Sequence, residues 1–211
     1  GKLVQDNLTM LVAFLLPATI GAVAIAEPLY TVFYGKPDSL ALGLFILAML
    51  QTVILGLYTV LSPMIQALFQ NRKAILYFGY GVLVKLILQV PFIYLFRAYG
   101  PLFSTTIGLM IPIVLMYKEI HRVTHFNRKI VFKRSLLTAI LTLIMLLVVL
   151  LSVFILGFVI KPNGRVMSMI YVALIGGVGI IVYGGLGLRL RFLDRFIGNK
   201  AASLRNKFHI S

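Results

Sequence analysis

The chain runs to 211 residues, of which 61% are hydrophobic and only 12% charged, and its mean hydropathy is +1.03. Soluble domains carry about 25% charged residues, so a water-soluble chain of this make-up would leave large apolar patches wet. Disorder fails for the opposite reason, since it needs few apolar residues. Twenty Lys and Arg stand against five Asp and Glu, a net +15, and there is no cysteine. Disulfide frameworks, thiol nucleophiles and Cys-bound metals are thereby excluded.

Six stretches have the roughly 20 apolar residues that a membrane helix needs. The first covers 8–26. With Lys2 ahead of it and Ala22, Val23 and Ala24 near its end, it imitates a secretory signal. Its apolar run is long enough to span, however, and the chain opens on Gly, so an uncleaved helix in part of a longer chain is expected. The second span, 40–61, continues past Pro63 toward Gln70. Along it Gln51, Tyr58, Ser62, Gln66 and Gln70 recur at spacings of 7, 4, 4 and 4, one stripe of a helix. Polar groups within a span report a water-accessible wall or hydrogen bonds between helices, and both readings stand.

The third span, 74–96, carries Lys85 at its middle, with Gln89 one turn on. Each end of the span lies about 16 Å away, whereas a lysine stem reaches about 6 Å, so the amine falls short of the headgroups. Facing lipid it would cost about 2.5–3.5 kcal/mol. It therefore lines an aqueous or anion-holding cavity, or joins an internal ion pair, for which Glu27 is the carboxylate bordering a span. The fourth span, 102–117, is short and contains Pro112. A basic loop over 118–135 follows, holding His121 and His125. Their i,i+4 spacing suits a metal, but Glu119 is the nearby carboxylate and cations surround them. We read a solvated interfacial pair and no metal.

The fifth span, 136–160, is a Leu/Val/Ile run suited to lipid after Thr138 and Thr142. The sixth, 166–188, holds Gly176, Gly177, Gly179, Gly184, Gly185 and Gly187, which point to tight packing, or alternatively to a hinge. In the tail 189–211, Leu190, Leu193, Phe196, Ile197, Ala201, Leu204 and Phe208 recur at helical spacing opposite a basic face, the pattern of a helix lying on anionic membrane lipids.

These spans place fifteen cations on one side, in 2, 72–73, 118–134 and 189–207, and four on the other: Lys36, Arg97, Lys161 and Arg165. The positive-inside rule then puts both termini in the cytoplasm. Distributed this way, the charge sets topology and does not track nucleic acid. No period of two runs through the spans, so a β-barrel is not expected. No nucleophile–base–acid grouping suggests an enzyme, and no cofactor is implied.

Two stretches carry a resemblance. Residues 16–35, with Pro17, Gly21, the turn Glu27, Pro28, Leu29, Tyr30, and Gly35, are similar to a helix in the second lobe of polysaccharide and lipid-linked oligosaccharide flippases. Residues 66–108 resemble the helices that follow, with Gln66, Lys73, Lys85, Gly100, Thr105 and Thr106 in familiar positions. The basic tail resembles that of lipid II flippases of the MurJ-like kind. All belong to the multidrug/oligosaccharidyl-lipid/polysaccharide exporter superfamily.

The resemblance implies an all-α polytopic fold of six transmembrane helices, half of a MATE-like two-lobe transporter whose N-terminal lobe is missing here. Residues 1–117 would supply four helices of the second lobe, 118–135 a cytoplasmic loop, 136–188 an accessory hairpin and 189–211 the basic tail. The implied function is translocation of an undecaprenyl-linked precursor, lipid II or a polysaccharide repeat unit, by alternating access in the cell membrane. Lys85 would attract its pyrophosphate, while Gln89, Gln51, Tyr58, Ser62, Gln66 and Gln70 would bind sugar or water. Two alternatives remain: a cation-coupled multidrug exporter of the MATE type, and a noncatalytic membrane subunit or truncated remnant.

Overall fold

A computed structural model describes residues 1–36, 38–159 and 164–189, apart from the side chains of 158, 159, 188 and 189; the tail helix expected beyond lies outside them. Among the described residues there is no strand. Seven helices follow in order: α1 (Lys2–Ala24), α2 (Ala26–Tyr34), α3 (Ser39–Ala67), α4 (Asn71–Phe96), α5 (Gly100–Thr124), α6 (Arg128–Val159) and α7 (Arg165–Arg189). Five continuous stretches are long and apolar enough to cross a membrane, and the longest of them, Asn71–Thr124, is α4 and α5 joined through a 3₁₀ turn at Arg97–Tyr99. Every one of the six sequence spans thus has its helix, and the chain is an all-helical, multi-pass membrane protein.

The helix ends differ from the spans for local reasons. The first span reads through to residue 26, but α1 stops at Ala24. Pro28 has no N–H to donate to the Ala24 carbonyl and its ring crowds that oxygen, so a new helix starts at Ala26. The third helix passes through Pro63 and ends at Ala67, where Phe69 turns into the left-handed region at φ 58°. Toward its C-terminus α5 continues seven residues beyond the span and closes on His125, also left-handed at φ 48°, whose N–H donates to His121 O at 2.9 Å. Next, α6 opens at Arg128 because the Asn127 side-chain oxygen accepts from the N–H of Lys129 at 3.0 Å and of Ile130 at 3.4 Å. The basic stretch 118–135 is accordingly helical on both sides of 125–127.

The described residues fall into two compact units: 1–15 with 43–133, and 16–36 and 38–42 with 134–159 and 164–189. The core of the first gathers Leu8 of α1, Leu61 and Ile65 of α3, Ala74 of α4, Met116 and Ile120 of α5, and Phe126. Pairs four residues apart, Leu61/Ile65 and Met116/Ile120, show one face of each helix turned inward.

In the second unit the buried faces are Thr138, Leu141, Thr142, Met145 and Val149 of α6, and Tyr171, Ile175, Gly179 and Tyr183 of α7. The Tyr171 hydroxyl donates to Val153 O at 3.0 Å, satisfying a polar tip within the hairpin. The expectation that the glycines of α7 mark tight packing needs correction. A side chain at Gly179 would meet Val149 Cγ2 at 3.3 Å, but at Gly176, Gly177, Gly184 and Gly185 it would meet nothing within 4 Å. Gly179 and Gly187 fall in step with Tyr171, Ile175 and Tyr183 on the buried face of α7. The opposite face of the hairpin is apolar and open, with Leu147 68% and Ile180 76% exposed, as lipid requires.

Candidate functional site: the groove between α4 and α5

The two helices fold back on one another about Arg97–Tyr99, and the turn depends on Gly100: a side chain there would run into the backbone of Phe92 and Ile93. From this turn one register governs the whole hairpin. It sets Gly81 against Gly108 and Pro112, and Lys85 against Gly108. A Cβ on Gly81 would collide with Gly108 O and lie 2.8 Å from Pro112 Cδ, while one on Gly108 would lie 2.8 Å from Lys85 Cβ. The backbones are therefore as close as glycine permits, and the lysine stem rises beside the crossing.

Beside this crossing lies a groove of about 120 Å³, lined by Phe78, Gly81, Val82 and Lys85 from α4 and Thr105, Gly108, Leu109 and Pro112 from α5. Lys85 is half-buried, and among the described residues no carboxylate stands within ion-pair distance of its Nζ. Thr105 is the other polar side chain of the lining, and its hydroxyl donates to Pro101 O at 2.7 Å. An ammonium on an apolar wall, away from bulk water, attracts an anion more strongly than one on a soluble surface.

The other sequence candidates lie elsewhere in this unit. Gln89 is half-buried one turn from Lys85 but does not line the groove. Gln51, Tyr58, Ser62 and Gln66 sit on α3, where Gln66 Nε2 donates to Ser62 Oγ at 3.3 Å. Gln70 lies past the end of α3, immediately before α4. The stripe meets the groove at one point: the Tyr58 ring packs against Phe78 with centroids 5.8 Å apart. The groove walls Phe78, Gly81, Val82, Gly108 and Leu109 escaped the sequence reading, because they follow from the hairpin register rather than from any composition.

A second polar feature was also missed. Lys73 Nζ lies 2.6 Å from Glu119 Oε1, and Arg122 Nη1 lies 3.9 Å from Oε2. The glutamate side chain is only 8% exposed. The same register that aligns Lys85 with Gly108 brings Lys73 level with Glu119. His121 packs edge-on against Phe126, ring centroids 5.0 Å apart, while the left-handed His125 no longer continues its helical face.

No protein-family model matches the chain, and no solved structure matches it. Among curated proteins it is similar to the lipid II flippase MurJ of Bacillus subtilis (strain 168), with 32% identity over 203 residues. The match takes in 93% of this chain and 37% of that protein, so the chain spans a little over a third of its relative's length. Over nearly its whole length, the chain is similar to a part of that protein.

Proposed function

We propose that the chain forms part of a flippase carrying an undecaprenyl-linked cell-wall precursor, lipid II or a polysaccharide repeat unit, across the cell membrane by alternating access. The physical problem is to pass a charged, sugar-bearing headgroup through hydrocarbon while its tail stays in lipid. A cavity opened to each side in turn by two rocking lobes solves it, and these helices would supply one lobe, with a partner lobe completing the pair. Lys85 attracts the pyrophosphate. Gln89 and the polar stripe of α3 offer hydrogen bonds to sugar or water, and α6 with α7 guides the tail. An inside-negative potential assists outward movement of negative charge by about 2.3 kcal/mol per charge per 100 mV.

The observation that carries this reading is a lysine half-buried in a groove midway along a spanning helix, with no carboxylate beside it among the described residues. A cation-coupled multidrug exporter calls for an acidic group there instead. Glu119, a buried carboxylate, lies near the end of α5 and is already engaged by Lys73.

The test is replacement of Lys85 in the complete protein. A charge-assisted contact contributes about 1.5–3 kcal/mol, so Lys85→Gln should weaken rescue of cells depleted of their own precursor flippase by about tenfold or more. Membrane abundance should stay unchanged, and Lys85→Arg should retain part of the rescue. Full rescue by Lys85→Gln at normal abundance removes the lysine from the mechanism.

A further inference from the structure

The segment between α1 and α3 holds a surface that lies outside the groove. With 23 and 29 residues, α1 and α3 measure about 34 and 43 Å, more than the roughly 30 Å of a hydrocarbon core. Residues 25–36 and 38 therefore lie at one face of the bilayer, whichever way the chain is inserted. With 9 residues and about 13 Å, α2 is too short to cross. One side of it is fixed, since Ile25 and Ala26 are buried and the helix packs along α7.

The other side is aromatic. Tyr30, Phe33 and Tyr34 recur at i, i+3 and i+4, and Phe33 and Tyr34 are 65% and 67% exposed. Ring centroids are 5.0 Å apart for Tyr30 and Tyr34, and 6.4 Å for Phe33 and Tyr34. Cations follow directly: Lys36 is exposed, and an Arg165 guanidinium nitrogen lies 3.9 Å from where a Cβ on Gly35 would stand. Exposed apolar residues continue on both sides, Leu40 in the first turn of α3 and Val166 in the first turn of α7.

We infer that α2 is an interfacial anchor whose aromatic face lies among lipid headgroups, with Lys36 and Arg165 directed at lipid phosphates. Three features select lipid as the occupant. The surface is continuous with helices that already face lipid, two of the three rings, Tyr30 and Tyr34, are of the amphipathic kind that concentrates at membrane interfaces, and the charges beside them match phosphate. The inference needs only that α1 and α3 cross the membrane, and it stands apart from the flippase reading.

The chain contains no tryptophan, so Phe33→Trp introduces a single fluorescent reporter. The full chain carrying it is reconstituted into phosphatidylcholine–phosphatidylglycerol vesicles, with bromine placed on the lipids either near the headgroup or near the chain end. Headgroup-proximal bromine should quench the emission about twofold more than chain-end bromine, and aqueous acrylamide should quench weakly. Leu147→Trp, in the middle of α6, should show the reverse order. Tyr34→Trp repeats the measurement if Phe33→Trp does not fold.

Strong acrylamide quenching with no effect of brominated lipid overturns the proposal, because the face then meets water or sugar. Stronger quenching from the chain end overturns it too, by placing α2 in the hydrocarbon. Emission that is insensitive to brominated lipid but shifts on dilution with unlabelled chain assigns the face to a second copy. Failure of Leu147→Trp to be quenched by chain-end bromine removes the premise that the chain is inserted.

Discussion

Glu119 shows how much a residue's meaning depends on a partner far along the chain. In the sequence it is a lone carboxylate among cations, read beside a histidine pair. Folded, it meets Lys73, 46 residues earlier, at 2.6 Å. Breaking a fully buried pair costs about 3–5 kcal/mol, whereas an exposed pair contributes about 0–1. Here the carboxylate is buried and the lysine 35% exposed, so water supports the ammonium when its partner is lost. Glu119→Ala should therefore destabilise the chain by about 1–3 kcal/mol, read as a fall in thermal stability in detergent. The double variant Lys73→Ala/Glu119→Ala should lose less than the two single variants added together. Strict additivity, with Glu119→Ala as stable as the parent, would reduce the pair to surface decoration. Lys85 is the opposite case: its depth is legible in the sequence, because an ammonium midway along an apolar run stands out with no knowledge of its neighbours.

At the scale of elements, the α4–α5 hairpin rests on a few close approaches, and two glycines in one helix separate packing from propensity. Gly81 faces the Gly108 backbone and Pro112, whereas a Cβ on Gly79 would meet nothing within 4 Å. Gly81→Ala must push the helices apart and should cost about 1–3 kcal/mol. Gly79→Ala adds a methyl in open space and should be neutral or stabilising by up to about 1 kcal/mol. Thermal unfolding of the two variants side by side checks this, and equal effects would mean that the hairpin is not closed at Gly81. The same contrast explains what the sequence could convey. The number of membrane helices was legible because hydrocarbon demands a minimum apolar length, a one-dimensional property. Their ends were not: α5 and α6 run on into basic segments whose helicity depends on a left-handed His125 and the Asn127 cap. The break at Ile25 was hidden inside an apolar run, though Pro28 was in view. The groove walls and the approach of Gly179 of α7 to Met145 and Val149 depend on register, which no count of residues contains.

Over the whole chain, hydropathy decides how many times the membrane is crossed and charge decides in which direction. The two are independent, and the directional argument rests on fifteen cations set against four. It places the start of α3 outside and the start of α4 inside. Both points can be reached with minimal disturbance: Ser39 opens α3 and Asn71 opens α4, both are exposed, and the chain has no cysteine of its own. Ser39→Cys should react with a membrane-impermeant maleimide on intact cells, and Asn71→Cys only after the membrane is opened. Labelling of both from outside would mean that α3 does not cross, and the depth assigned to Lys85 would fall with it. A clean reversal would leave the helices standing but turn the chain over. The cation clusters would then face outward against the positive-inside rule. The side assigned to the α2 anchor would change, while its contact with lipid would not, since neither the helix lengths nor the aromatic and basic surface depends on which way the chain is inserted.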